Sequence, residues 1–346
     1  MVKLFWEADG GIPQRLEFKY GYTDFNADET YTGLTEDDVR SHPDRRYAAT
    51  RFDNIATEHH RTYLKYLVQP REDLSLEFAG YYNQFERSWY KLHDLRDLGS
   101  VHEGILTPAG QDLLMGSGPG QYRVRDNARE YKLYGLQFQG DWTVRKGAVE
   151  NLVTFGARLH YDEVRRKQRN DTVTQDATGA VVDIDRGEDG SGGNRKQESR
   201  ALALWVQDRI SWGQFSLTPG VRYEHVDGHY TDYASDPTDT KTGGGDGTLG
   251  VWAPGISFTY NPTELDQIFA GVHKGISIPG PRSFIRSGVD PEESIGYELG
   301  YRTRRNGVQA ELIGFYTDFD NLIGSDTGLS GSDATNAGEA DVAGLE

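Results

Sequence analysis

Stretches in which apolar and polar residues alternate one by one recur along nearly the whole chain, and they constrain the fold more than any other feature. In RLEFKYGYT, Leu16, Phe18, Tyr20 and Tyr22 share one parity and Glu17 and Lys19 the other. In NLVTFGARLHYD, Val153, Phe155, Ala157, Leu159 and Tyr161 oppose Thr154, Arg158, His160 and Asp162. QFSLTPGVRYEH sets Phe215, Leu217, Val221 and Tyr223 against Ser216, Thr218, Arg222 and Glu224. Side chains change face at every residue of a β-strand, so this pattern predicts strands; helices would show apolar residues three and four apart.

The connections alternate in length as regularly as the residues alternate in polarity. Short ones fall at 9–14, 69–73, 145–150, 211–214, 261–266 and 304–307, and long ones at 32–54, 91–127, 169–197, 231–247, 276–293 and 321–336. This spacing predicts about thirteen strands. A soluble sandwich has no reason to keep every second loop short, whereas a membrane barrel has tight turns at one end and long loops at the other. Several strands also exceed the roughly 9 to 11 residues that cross a bilayer, so walls rising above the membrane are expected. The fold class predicted is all-β, a transmembrane antiparallel β-barrel, because an open strand edge in hydrocarbon leaves backbone groups unpaired.

Composition narrows the function. With 36% hydrophobic residues and a mean hydropathy of -0.69, no run of about 18 apolar residues is present to form a transmembrane helix. The 20 Tyr and 42 Gly suit strands and turns. There is no cysteine, hence no disulfide and no thiolate metal site. Net charge is -17, from 37 basic and 54 acidic residues, which argues against a nucleic-acid partner. The opening MVKLFWEADGG has no apolar core of a secretory signal. No Gly-x-Ser-x-Gly elbow, cysteine nucleophile or convergent histidine–carboxylate set is present, so neither an enzyme nor a cofactor is expected.

Four stretches invite a site. His225 and His229 of HVDGH, four apart on a strand, stand about 13 Å apart along its axis, too far for one ion, so no metal is expected. DIDRGEDGSGG (183–193) departs from the EF-hand order at Gly187 and reads as a solvated, mobile loop tip. SIPGPRSFIRSG (277–288) follows His273 and sets Arg282 and Arg286 beside two stiffening prolines; it reads as an anion-binding loop or as ordinary surface. VRRKQR (164–169) reads as a contact for ligand or lipopolysaccharide phosphates, or as a solvated charge run. Strand parity turns Arg158, His160, Arg166, His59, Arg61, Lys65, Tyr81 and Arg87 toward the lumen, where charges also serve simply to fill a wet interior. An acidic chain that captures an anion must gather cations locally, and the candidate ligand-binding residues are Arg87, Arg166, His273, Arg282 and Arg286.

Three stretches, TYTGLTEDDVRSHPDRRYAATRFDNIATEHH, FAGVHKGISIPGPRSF, and YELGYRTRRNGVQAELIGFYTDFDNLIGSD followed by NAGEADVAGLE, resemble in order and spacing the TonB-dependent outer-membrane receptors, and within them the ferric dicitrate receptor group. The resemblance implies a barrel of about 22 strands, of which residues 1–346 would be one part, with the plug domain, its TonB box and the C-terminal strands missing. A chain that stops partway through a strand would then be a fragment. The resemblance further implies active uptake of a ferric chelate, ferric citrate or a carboxylate siderophore, at the bacterial outer membrane. The implied partners are the chelate, TonB acting through the plug, and outer-membrane lipid and lipopolysaccharide. A passive porin and a soluble β-rich carbohydrate-binding protein would share the strand pattern and remain open at this point.

Overall fold

The computed structural model describes residues 1–8, 10–305, 307–325 and 334–346. In chain order the elements are β1 (Val2–Ala8), β2 (Gln14–Ala27), α1 (Glu36–Ser41), β3 (Asn54–Arg71), β4 (Leu74–Asp94), α2 (Val101–Gly104), α3 (Pro108–Met115), β5 (Gly120–Asp126), β6 (Arg129–Lys146) and β7 (Val149–Gln175). There follow β8 (Val181–Asp185), β9 (Gly193–Trp212), β10 (Phe215–Tyr233), β11 (Lys241–Tyr260), β12 (Asp266–Ser277), α4 (Pro281–Ser287), β13 (Glu292–Arg305), β14 (Val308–Asp320), β15 (Ile323–Ser325), β16 (Ala334–Asn336) and β17 (Ala340–Leu345). Fifteen strands form one antiparallel sheet, and β15 pairs with β16 alone. Without β5 and β8, which pair only with the far ends of β4 and β7, thirteen strands succeed one another as neighbours, in agreement with the alternation in the sequence.

The short connections are tight because glycine permits them. Gly147 (φ +61°) and Gly213 (φ +59°) each open a two-residue turn, between the paired residues Lys146 and Val149 and between Trp212 and Phe215. A positive φ at that position matches the twist of the flanking strands and costs glycine nothing.

Register carries the apolar parity of each strand onto a single outer face. Leu64, Gly80, Leu136, Leu159 and Leu202 lie opposite one another across β3, β4, β6, β7 and β9. One step lower, Tyr66, Phe78, Phe138, Ala157, Leu204, Tyr223 and Trp252 do the same. These side chains have nothing packed over them, and Leu136 is 65% exposed. Tyr82, Tyr134 and Tyr161 bound the band on one side, and Trp142, Trp212 and Phe215 on the other. On β4 the band runs nine residues, Leu74–Tyr82, the length that crosses a bilayer, and amphipathic rings belong at its two interfaces. A soluble carbohydrate-binding protein would have no use for such a face.

Beyond the tyrosines the wall continues and acquires a core of its own. Tyr47, Leu92, Leu113, Leu114, Tyr122 and Val173 are buried together where the segment holding α1, the segment holding α2 and α3, and the ends of β4, β5 and β7 meet. The helices begin where their caps dictate. Thr35 accepts from the Asp38 amide, Ser100 and Glu103 form a reciprocal capping box, and Thr107 precedes Pro108.

Three expectations about the long connections need correction. The connection placed at 231–247 is only residues 234–240, because GGGDG, which reads as a turn, pairs residue for residue with β10. In 169–197, β7 continues to Gln175 and β8 returns along it; DIDRGEDGSGG is therefore half strand, and its remainder is held by Gly187 N donating to Asp171 and Gly192 N donating to the Gln168 carbonyl. Residues 277–288 contain the helix α4 in place of an irregular surface loop. Part of the connection at 321–336 lies outside the described residues.

Candidate functional site

Across four adjacent strands one inward-facing register row is entirely arginine. Arg87 of β4 lies opposite Arg129 of β6, Arg129 opposite Arg166 of β7, and Arg166 opposite Arg195 of β9. Such neighbours have Cβ atoms about 4.5 to 5.5 Å apart, where like charges destabilise a sheet. The row ends at Thr57 on one side and at Asp232 of β10 on the other. The inward row below it reads His59, Phe85, Tyr131, Val164, Gln197 and Tyr230, and the one above includes Ile55, Trp89 and Gln168. Among the described residues neither of these rows supplies a carboxylate.

Polar neighbours orient two members of the row. Arg166 Nε donates to Gln168 Oε1 at 2.7 Å, and Arg129 Nη1 donates to the Tyr131 hydroxyl at 3.2 Å. The Nε atoms of Arg87 and Arg129 are buried with no hydrogen-bond partner among the described residues. All four residues stand beyond the tyrosine ring; Arg87 is five residues past Tyr82, about 16 Å along the strand. Burial, followed by Arg195, Arg129 and Arg125, disfavours the charged form of Arg166, and burial followed by Arg129 does so for Arg87. Arginine keeps its proton, so an anion placed beside the row would favour the charged form of both residues.

Above the row opens a cavity of about 810 Å³ whose charged lining includes Lys91, His93, Arg123 and Arg125 together with Asp94 and Glu103, and Arg123 Nε donates to Asp94 Oδ2 at 2.7 Å. Lys91 lies opposite Arg125 in register, and its Nζ stands 3.3 Å from the Tyr31 ring centre and 4.2 Å from that of Trp89. The two rings hold the ammonium by cation–π contact. Burial first, then Arg87, pushes the Lys91 pKa down to about 8, and burial with Arg125 pushes His93 down to about 4. At neutral pH Lys91 is therefore charged and His93 neutral.

Residues 6–346 match the family described as TonB dependent receptor-like, beta-barrel. The chain belongs to that family. Similar solved structures are the unliganded ferric citrate transporter FecA (TM-score 0.69, 18% identity, covering 99% of this chain and 51% of that one) and the siderophore receptor PiuA from Acinetobacter baumannii (0.68, 13%, 99% and 52%). The ferric-catecholate import receptor Fiu from K12 E. coli is similar at TM-score 0.65 and 13% identity, over 96% of this chain and 54% of that one. At these identities the likeness is one of fold, and the chain spans about half the length of these proteins.

In this receptor barrel the five residues singled out from the sequence do not form one group. Arg87 and Arg166 belong to the row. Arg282 and Arg286 sit on α4, which lies along the inner wall with Phe284 and Ile285 against Gly228, Gly245 and Gly247. Arg282 Nε donates to Asp232 Oδ1 at 3.2 Å, and Arg286 Nη1 stands 3.5 Å from Asp232 Oδ2, so Asp232 joins α4 to the end of the row. His273 is elsewhere. Its register partner Gly255 faces Gly220, twelve positions down β10 from Asp232 and about 40 Å along the strand. There it lines a second cavity of about 780 Å³ with Arg158, Arg222, Arg302 and Glu298, where both signs of charge are present. His225 and His229 engage separate carboxylates, Asp227 and Asp246.

Arg129, Arg195, Lys91, Arg125 and Asp232 were not singled out from the sequence. Their parity was legible, but parity assigns a face and only pairing assigns a row.

Proposed function

We propose that this chain forms part of the wall of an outer-membrane receptor that takes up an anionic ferric chelate, ferric citrate or a carboxylate siderophore, driven by TonB. The observation that carries this reading is the row of four arginines, Arg87, Arg129, Arg166 and Arg195, adjacent in register on the inner face, with no carboxylate among the described residues of the rows above and below. A planar guanidinium matches a carboxylate bidentately, and several in line suit a ligand that presents several carboxylates. Iron-chelate transport by similar folds supports the reading.

On this reading the rest of a longer protein supplies a plug and the remaining strands. The chelate enters from outside, meets Lys91 and Arg125 in the upper cavity, and settles against the row. TonB, coupled to the inner-membrane proton gradient, then pulls on the plug to open a path. The outer face between the aromatic rings contacts lipid, and the charged wall above it, which includes Lys132, Arg165 and Lys196, contacts lipopolysaccharide. The barrel performs no covalent chemistry, and no enzymatic activity is proposed.

The test is uptake of radiolabelled iron by cells that carry the complete receptor under iron limitation. Ferric citrate should enter in a TonB-dependent manner, and Arg166→Ala should reduce uptake at limiting chelate. Uptake that is unaffected by loss of TonB, or supported equally by Arg166→Ala at every chelate concentration, would contradict the reading.

A further inference from the structure

Among the described residues, three that are not glycine have a φ in the left-handed region: Arg96 (+55°), Asp239 (+51°) and Asn321 (+55°). Asp and Asn adopt it readily because a short polar side chain bonds locally, whereas an arginine there is strained. Such strain persists only where the surroundings over-determine it, and the turn at 94–99 does so. The Arg96 amide donates to Asp94 Oδ1 at 3.0 Å, its carbonyl accepts from the Gly99 amide at 3.0 Å, and the Leu95 amide donates to the Gly99 carbonyl at 2.9 Å. Leu95 itself is buried, so close to α2 that a Cβ on Gly104 would come 2.5 Å from its Cδ1. Arg96, by contrast, is exposed and lines the upper cavity, and its guanidinium makes no hydrogen bond, ion pair or ring contact with the described residues. Folding therefore gives no reason for an arginine at this position, where glycine or asparagine would sit without strain. The carboxylates in the lining do not claim it either. Asp94 accepts from Arg123 and from the Arg96 amide, and Glu103 is held by Ser100 in the capping box.

We propose that Arg96 is a ligand-binding residue, the guanidinium with which the upper cavity takes hold of a carboxylate of the chelate before the arginine row is reached. A guanidinium fork matches a carboxylate bidentately. Of the other cations in the lining, Lys91 is held by the Tyr31 and Trp89 rings, Arg123 donates to Asp94, and Arg125 donates to Asn170. The inference rests on the proposed uptake of a carboxylate chelate and adds to it a residue outside the row. It also predicts opposite signs for one substitution: losing Arg96 relieves strain in the turn and weakens ligand binding, a combination that a residue kept for stability cannot produce.

The test is calorimetric titration of the complete receptor with free citrate, together with hydrogen exchange at residues 94–104. Arg96→Gly and Arg96→Asn both suit a positive φ, so exchange should be no faster than in the unmutated protein, while citrate affinity falls by about tenfold, the reach of one charge-assisted contact. Arg96→Lys, which keeps a cation on the same turn, should lose less. Unchanged citrate affinity in Arg96→Gly and Arg96→Asn would overturn the proposal. So would an equal loss in all three variants, which would show that the turn was needed and the charge was not. If glycine frees the turn and exchange quickens, Arg96→Asn and Arg96→Lys decide between these outcomes. Arg166→Gln separates the claim from the reading it rests on: binding lost there but kept in the Arg96 variants removes Arg96 alone, whereas binding that survives Arg166→Gln and falls with Arg96→Asn misplaces the row and leaves Arg96 in the site.

Discussion

The two halves of this wall meet the same space with opposite constructions. From β3 to β9 the external extensions are braced by buried side chains; Leu114, Tyr122 and Val173 are fully buried, and Lys91 and Arg125 project from strands that this core holds. From β10 to β12 the inner surface is stripped to glycine at 228, 245 and 247, and a seven-residue helix covers it, with Pro281, Phe284 and Ile285 against the glycines and Arg282 paired with Asp232. The first half presents its cations from a preformed scaffold, as close-packed interiors resist deformation. The second presents Arg282 and Arg286 from a short helix seated on a trough of glycines. The contrast between a braced wall and a helix seated on glycine follows directly from where large apolar residues and glycines fall in the chain.

The largest effect expected from breaking this contrast is in the braced half. Leu114→Ala should cost that unit about 2 to 5 kcal/mol, as for other fully buried leucines. It should accelerate hydrogen exchange across residues 95–124 while leaving the spanning strands protected, and unaltered exchange there would show that the core does not brace the loops. The glycine half should respond to added volume instead. Gly228→Ala places a methyl against Phe284, and overpacking of this kind costs about 1 to 3 kcal/mol. The expected readout is proteolytic sensitivity near α4 with normal membrane insertion, and an undisturbed helix would mean that the trough has slack.

A smaller effect belongs to pH. Lys91 loses its proton as pH rises through about 8, so affinity for free citrate should decline from about pH 7 to pH 9, and Lys91→Met should flatten the profile. Because the folded value lies below the unfolded 10.5, protonated Lys91 weakens the fold below about pH 8, and the penalty fades as pH approaches 10.5. A profile of the same slope in the variant would remove Lys91 from the site. The smallest effect should come from the outer wall, where Lys132 pairs with Glu130 across 2.6 Å at a solvent-accessible position. Lys132→Ala should change stability by no more than about 1 kcal/mol and citrate affinity not at all.

These predictions also mark how far the sequence could be read. Alternation alone turned Phe18, Tyr20, Phe155, Leu159, Leu217 and Tyr223 outward and Arg158 and Arg222 inward, because one face meets an apolar medium and the other water, and the structure agrees. It placed Arg87 and Arg166 on the correct face but could not join them, since adjacency depends on register between β4, β6 and β7, which loop lengths leave open. GGGDG misled for a physical reason. Glycine is usually a turn residue, but here its missing side chain makes room for α4, a partner about 40 residues away in sequence. The external core was hidden because its members come from four separated segments, none of them apolar enough to stand out.

The central claim, that the arginine row binds the carboxylates of the ligand, is tested most directly by calorimetric titration of the complete receptor with ferric citrate, comparing the unmutated protein with Arg129→Gln at the middle of the row. The substitution keeps the barrel's register and removes one charge, so affinity should fall by about tenfold to a hundredfold, equivalent to the 1.5 to 3 kcal/mol of a charge-assisted hydrogen bond, with a shallower dependence on salt. Affinity and salt dependence equal to those of the unmutated protein, with the barrel intact, would contradict it.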